Sequence, residues 1–160
     1  MEARITNPAL IVPGTLEALQ ALGKAATKVA AKEGVPEATI DLVHMRASQI
    51  NGCAVCLDMH SRSARRHGVS DEQLHTLAGW RETPYFDEAQ RAALALTEAG
   101  TRLADRAEPV PEDVYAAAAK HFSEAGLGAL VVQIAAINAW NRLNVITGQV
   151  TGEWVAQWVA

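Results

Sequence analysis

The chain has 160 residues, of which 49% are hydrophobic, 20% charged and only 5% aromatic, and its formal net charge is −4. That is one domain's worth of sequence with enough apolar residues for a core, which excludes an intrinsically disordered chain. The acidic balance leaves no excess of Lys and Arg to neutralise phosphates, so nucleic acid is not an expected partner.

No segment alternates apolar and polar residues for long enough to predict a strand, and the periodicity is helical throughout. A first helix is predicted over 14–32, stopped near Gly34-Val35-Pro36. Pro36 suits the first position of a second helix, which runs to Asn51-Gly52. A third covers 53–67 and ends at Gly68, and Ser70 caps a short fourth over 71–79. Thr83-Pro84 breaks the chain before a long helix over 87–106. Pro111 opens another over 111–122, and Ser123 followed by Glu124 opens the last, over 124–146. No linker or repeat interrupts the series. The expected fold is a single all-α domain over 1–160, with about six to seven helices.

Roughly a fifth of the chain is alanine. Alanine is the best helix former but removes little apolar area from water. Either the helices pack very closely, or a partner subunit completes a thin core. The N-terminus MEARITNPAL has no basic segment followed by a long apolar run, so no signal peptide is expected. The most apolar stretch, Leu127 to Trp140, is interrupted by Gln133 and Asn138 and is too short to span a bilayer. A soluble, cytoplasmic protein is expected, with no membrane partner.

The two cysteines, Cys53 and Cys56, form a C-x-x-C at the start of the third helix. At about 100° per residue, Cys53, Cys56 and His60 share one face with Leu57 and Ala64. Asp58, Arg62, Arg65 and Arg66 lie opposite, as a solvated face. Unsatisfied N–H groups in a first helical turn favour a thiolate, and His60 lies one turn beyond Cys56, where it can relay a proton. Three readings are open: buried structural cysteines, a zinc site, or a redox dithiol with its own proton relay. Zinc lacks a second ligand pair, and three ligands on one helix converge poorly on a tetrahedral ion. The redox pair explains spacing, helix position and histidine together. On the second helix, Ile40, Val43, Ala47 and Ile50 form a core stripe, flanked by Asp41, His44 and Ser48. These three are either a polar network or surface residues that happen to align.

The segment from Asp41 to His60, DLVHMRASQINGCAVCLDMH, resembles the core motif of the AhpD-like alkylhydroperoxidases of the carboxymuconolactone decarboxylase superfamily. The resemblance continues through Gly79 to Glu82, Glu88 to Leu94 and Asn138 to Arg142. It implies an AhpD-like helical bundle and a thiol-dependent peroxidase. It also implies roles: Cys56 attacks peroxide, Cys53 resolves the sulfenic acid, and His60 and Asp41 form the proton relay. Asp41 stands where the family usually has glutamate, and Val55 where some members have histidine. The shorter Asp41 either loses its bond to His60, bridges it through water, or is replaced through His44. His44, Ser48, Asn51 and Trp140 are expected around this centre. No cofactor or metal is expected. The implied partners are a small peroxide and an external dithiol reductant, lipoyl-type or thioredoxin-like. The implied assembly is a homo-oligomer, a trimer or hexamer, with Trp140, Trp154 and Trp158 at its contacts. Two further classes stay in view: a cofactor-free lactone decarboxylase of the same superfamily, and a non-catalytic redox-sensing disulfide protein. His67 is read as a helix-end residue meeting the dipole, and His121-Phe122 as a packing and cap feature.

Overall fold

Side-chain caps set where most of the helices begin. In the computed structural model, which describes residues 1–105 and 107–158, Asn7 caps a four-residue helix α1 (Pro8–Ile11), and α2 (Thr15–Lys32) follows. Next come α3 (Glu37–Asn51) and α4 (Ala54–Arg66). Ser70 and Gln73 form a capping box on α5 (Asp71–Thr76), and Asp87 and Gln90 form another on α6 (Glu88–Thr101). The series ends with α7 (Glu112–His121) and α8 (Glu124–Ile146), the latter capped by Ser123. Among the described residues three 3-10 segments complete it: Leu77–Glu82, Leu103–Asp105 and Glu153–Trp158. The fold is all-α, and among the described residues there is no strand. Among the described residues no helix is long and apolar enough to cross a membrane.

Four boundaries differ from the sequence reading. Pro36 and Pro111 are the N-caps of α3 and α7, rather than their first helical residues. The helix expected over 71–79 turns 3-10 after Thr76 because Gly79 takes a non-helical conformation. The helix expected over 87–106 ends at Thr101, where the Arg102 N–H folds back onto the Glu98 and Ala99 carbonyls. Arg106 lies outside the described residues. Helix α1 and the C-terminal 3-10 segment were not predicted.

The centre of the bundle is the pair α3 and α8. Helix α2 lies along α8, α4 and α6 along α3, and α7 along α6. Because α3 is packed on several sides, nine of its residues are buried, and they include Asp41, Arg46 and Ser48. That is why its polar flank is a network and not a surface. The core is built partly of alanine: Ala30, Ala47, Ala64 and Ala118 are completely buried. Small side chains let helix axes approach closely, so dispersion contacts replace bulk. Gly126 serves the same purpose, since a Cβ there would meet Val35 Cγ2 at 3.3 Å.

Candidate active site

Helix α3 stops at Gly52, whose φ of +70° is a left-handed conformation that favours glycine. The chain reverses there, and the Cys53 N–H donates to the Ser48 carbonyl at 3.0 Å. Cys53 becomes the N-cap of α4, with its sulfur accepting the Cys56 N–H at 3.4 Å. Both cysteines are free and buried, and their sulfurs lie 2.6 Å apart. The pair ionises in two well-separated steps. A hydrogen bond from the Cys56 thiol, against the cost of burial and with help from the Cys56 N–H, pulls Cys53 down to about 7. The same hydrogen bond, burial and the Cys53 charge push Cys56 far up.

Asn144, on the third turn of α8 beyond Gln133, donates to Cys56 Sγ at 3.3 Å and Cys53 Sγ at 3.7 Å. Its orientation is fixed from behind, because Asn7 Nδ2 donates to Asn144 Oδ1 at 2.7 Å. Asn7 is fixed in turn by accepting the Ala9 N–H. A polar ladder braces the turn that carries the cysteines. Asn51 donates to Asn138 and Asn141 at 2.9 Å each, and Asn141 donates to Ser48 Oγ at 3.0 Å.

Asp41 is buried beside α4. Its Oδ1 lies 3.4 Å from His60 Nδ1, and its Oδ2 accepts from Ser63 Oγ at 3.1 Å. The shortest contact, 2.7 Å, is from His67 Nδ1 to Oδ2. Burial pushes the carboxyl up, but the hydrogen bonds from His60 and His67 outweigh it and hold it below its ordinary value. Aspartate thus retains a long contact to His60 while a second histidine takes its other oxygen. His67 caps the end of α4, as expected of a dipole-facing residue, but its ring bridges Asp41 and Glu37 instead of meeting solvent alone.

His44 packs against His60 with ring centroids 4.4 Å apart. Gln133 donates to Thr27 Oγ1 at 2.9 Å and Gly23 O at 3.3 Å, so its oxygen faces His44 Nε2 at 3.1 Å. Nε2 therefore carries the proton, and the buried Nδ1 has no partner among the described residues. Burial, then the charge of His60, lowers His44 to about 3, so the ring is neutral in ordinary conditions.

An apolar cavity of about 330 Å³ lies over Cys56, His44 and His60. Its walls include Met59, Ile137 and Trp140, and the two chain ends close over it through Leu10, Trp154 and Trp158. Cys53 does not line it, although it sits directly behind Cys56. Ligand atoms of Asp41, His44 and His60 lie within 4.8 Å of one another. A first-row cation needs about 2.1 Å to each ligand. At that length two ligand atoms stand at most about 4.2 Å apart, so the set would have to draw closer to hold an ion, and Asp41 is already engaged on both oxygens.

Of the residues singled out from sequence, Cys53, Cys56, His60, Asp41, His44 and Trp140 converge here. Ser48 and Asn51 stand behind the cysteine turn and do not reach the cavity. Trp154 and Trp158 fold over the body, with Val155 completely buried between them, and keep 41% and 51% exposure. His121 is exposed and does not line the cavity. Sequence reading missed Asn144, Gln133, Asn7 and the bridging role of His67. The signal for the first two was their spacing, three turns apart on one face of a helix that also carries Asn138, Asn141 and Arg142.

Residues 13–99 match the model of the carboxymuconolactone decarboxylase family. The chain belongs to that family. Among curated relatives, the uncharacterized protein YdfG of Bacillus subtilis is 33% identical over 76% of this chain and 81% of its own length. Alkyl hydroperoxide reductase AhpD of Bradyrhizobium diazoefficiens is 34% identical over 42% of this chain, but that stretch spans 34% of the enzyme. A solved structure from Agrobacterium tumefaciens, of unknown function with an AhpD-type antioxidant defence role suggested, superposes with a TM-score of 0.82. It is 34% identical, over 94% of this chain and 99% of that one. The debrominase Bmp8 shares the fold at a TM-score of 0.75 and 21% identity, covering 92% of this chain and 76% of Bmp8. At that identity the likeness is one of fold.

Proposed function

We propose that this family member is a thiol-dependent peroxidase in which Cys56 attacks a hydroperoxide and Cys53 closes the disulfide. The observation that carries this reading is the stacking of the two sulfurs. Cys56 opens onto the apolar cavity beside His60, and Cys53 waits 2.6 Å behind it. At rest the negative charge sits on Cys53, and a proton crossing between the sulfurs moves it to Cys56. The Cys56 thiolate then attacks the terminal peroxide oxygen. An S–O bond forms, the O–O bond breaks, and the leaving alkoxide takes a proton from His60. The Cys53 thiol attacks the resulting sulfenic acid, forming S–S and expelling water. An external dithiol reverses the disulfide and becomes a disulfide itself. Overall, a hydroperoxide and a dithiol give an alcohol, water and a disulfide. Asn144 stabilises whichever sulfur is ionised.

The exposed apolar side chains at the chain ends, Leu10, Ile11, Trp154 and Trp158, also fit a self-associating rim. The reading includes a trimer or hexamer, and a monomeric mass by light scattering at micromolar concentration overturns that part.

A second reading, thiol-driven dehalogenation, is favoured by the tryptophan-lined cavity and by the debrominase neighbour, of which a complex with 2,3,4-tribromopyrrole has been solved. Two thiols and an aryl bromide would give the arene, a disulfide, bromide and a proton. One experiment separates them. Reduced protein is mixed with stoichiometric cumene hydroperoxide, hydrogen peroxide or a bromopyrrole, and free thiols are counted. Loss of both thiols within seconds on peroxide alone is expected. Two surviving thiols overturn the peroxidase reading, and bromide release with thiol loss on the bromopyrrole supports the second.

A further inference from the structure

The buried Asp41 has a connection that the peroxidase reading leaves unused. Helices α3 and α4 run antiparallel from the reversal at Gly52, so Glu37 and His67 stand fifteen residues before and after it, facing each other. His67 Nδ1 lies 2.7 Å from Asp41 Oδ2, and His67 Nε2 lies 2.7 Å from Glu37 Oε2. Asp41 Oδ1 continues to His60 at 3.4 Å, and His60 lines the cavity with Cys56. Glu37 is 56% exposed, His67 33% and Asp41 6%. A line of titratable groups therefore runs from water to the cavity wall, and Ser63 holds Asp41 in it.

We propose that His67 and Glu37 form the proton port of the buried thiol site, passing protons between solvent and the Asp41–His60 relay. The proposal rests on the thiol reading above and adds where that chemistry meets water. The need for a port arises in the reductive half-reaction. An external dithiol attacks as a thiolate, having left its protons in solvent. Two S–S exchanges later, the donor is a disulfide and Cys53 and Cys56 hold two negative charges. Protons must return to a pair that is almost fully buried behind an apolar cavity. An imidazole between two acceptors is suited to that. It donates to both carboxylates only when both nitrogens carry a proton; surrendering the Nδ1 proton toward Asp41 leaves a neutral ring protonated at Nε2, and turnover of this part-exposed ring brings the bare nitrogen toward Glu37 and water to take up the next proton. As a stability device the outer contact has little value, since a half-exposed ion pair is screened and entropically costly.

The test uses His67→Gln, whose amide can still hydrogen-bond Asp41 but cannot carry a proton through, and Glu37→Gln at the exposed end. Peroxide turnover with a dithiol donor is measured in dilute buffer and again with rising imidazole. Wild-type turnover is expected to be indifferent to imidazole. His67→Gln is expected to lose about 100-fold in kcat, with KM for peroxide unchanged, and to recover saturably with imidazole. Glu37→Gln is expected to show a smaller loss with the same rescue. A loss that imidazole does not rescue identifies a brace and overturns the proposal, as does wild-type turnover in His67→Gln. The same buffer series is run on the reaction of the reduced pair with a neutral aromatic disulfide, which needs no peroxide. If wild type reduces no peroxide, the peroxidase reading falls, while imidazole-dependent thiol oxidation in His67→Gln alone still supports the port. Imidazole-independent oxidation overturns it.

Discussion

Serine in place of Cys56 is expected to lower peroxide turnover by about six orders of magnitude, the loss seen when a catalytic nucleophile is removed, whereas serine in place of Cys53 should leave one round of oxidation intact. The asymmetry follows from position. Cys56 lines the cavity and Cys53 does not, so a peroxide meets the second sulfur only through the first. Without Cys53 the sulfenic acid on Cys56 has no thiol to condense with, and it accumulates. Dimedone should then label Cys53→Ser protein once, on Cys56, and leave Cys56→Ser unlabelled. The same variant tests the electrostatics. In the intact pair, the hydrogen bond to Cys53, burial and the Cys53 charge all push Cys56 up. Removing the Cys53 thiol removes the first and third of these causes and leaves the Asn144 donor at 3.3 Å. Cys56 in Cys53→Ser should therefore ionise at lower pH than it does within the pair, read as thiolate absorbance. Dimedone labelling on Cys53 in the Cys56→Ser protein would reverse the assignment of attacking and resolving sulfur.

The helices were legible where the chain itself supplies the stop and start signals. Ser70 with Gln73, Asp87 with Gln90, and Ser123 each cap the helix that the periodicity predicts after them. The boundaries that moved depend on tertiary structure. Residues 77–82 keep a helical pattern but wrap tightly because Trp80 must reach Glu98, and Gly79 absorbs the kink. Helix α1 is too short to form alone, and it is held by contact with α2 and by the Asn7–Asn144 bond. The alanine content, which left close packing and a missing subunit both open, is explained at least in part by the first. Completely buried alanines lie at contacts of α2, α3, α4 and α7 with their neighbours.

The site divides in the same way. Cys53, Cys56 and His60 share one helix, so their convergence is a matter of 100° steps and could be read directly. Asp41 was reached through resemblance, because nothing local says which face of α3 meets α4. Asn144 lies 88 residues from Cys56, Gln133 lies 89 from His44, and Asn7 lies 137 from Asn144. Contacts at such separations are set by how α8 crosses α3 and α2, and no periodicity within one segment encodes them. His67 shows the limit most plainly. Its place at the end of α4 was read correctly, but the antiparallel return of α3 supplies the two carboxylates that give the ring its geometry.

Alanine in place of Glu98 should cost about 3–5 kcal/mol, the usual penalty for leaving a buried charge without its partner, and should lower the melting temperature by about 10 °C in a domain of this size. Glu98 is buried on α6 and collects donors from two other elements. Arg46 of α3 binds Oε1 at 2.7 Å, Trp80 donates to the same oxygen at 3.0 Å, and Arg81 binds Oε2 at 2.7 Å. Arg81 also stacks over the Trp80 ring, 4.1 Å from its centroid. Arg81 can turn to solvent when the carboxylate goes, but the buried Arg46 cannot, and it keeps only Gln49. Burial pushes the Glu98 carboxyl up, yet the hydrogen bonds from Arg81, Trp80 and Arg46 outweigh it and hold it below its ordinary value. A folded value below the unfolded one means that the stabilisation is complete above the unfolded value and is lost as pH falls through the folded value. The milder Glu98→Gln should therefore melt below wild type near neutral pH, and the gap should close as the solution is acidified past the ordinary glutamate range. Asp41, also held low, remains in both proteins and cancels from the difference. Melting curves for wild type and Glu98→Gln across that range decide the matter: a gap that stays constant into acid would mean that shape, and not the charge of Glu98, holds α3, α6 and the Trp80 turn together.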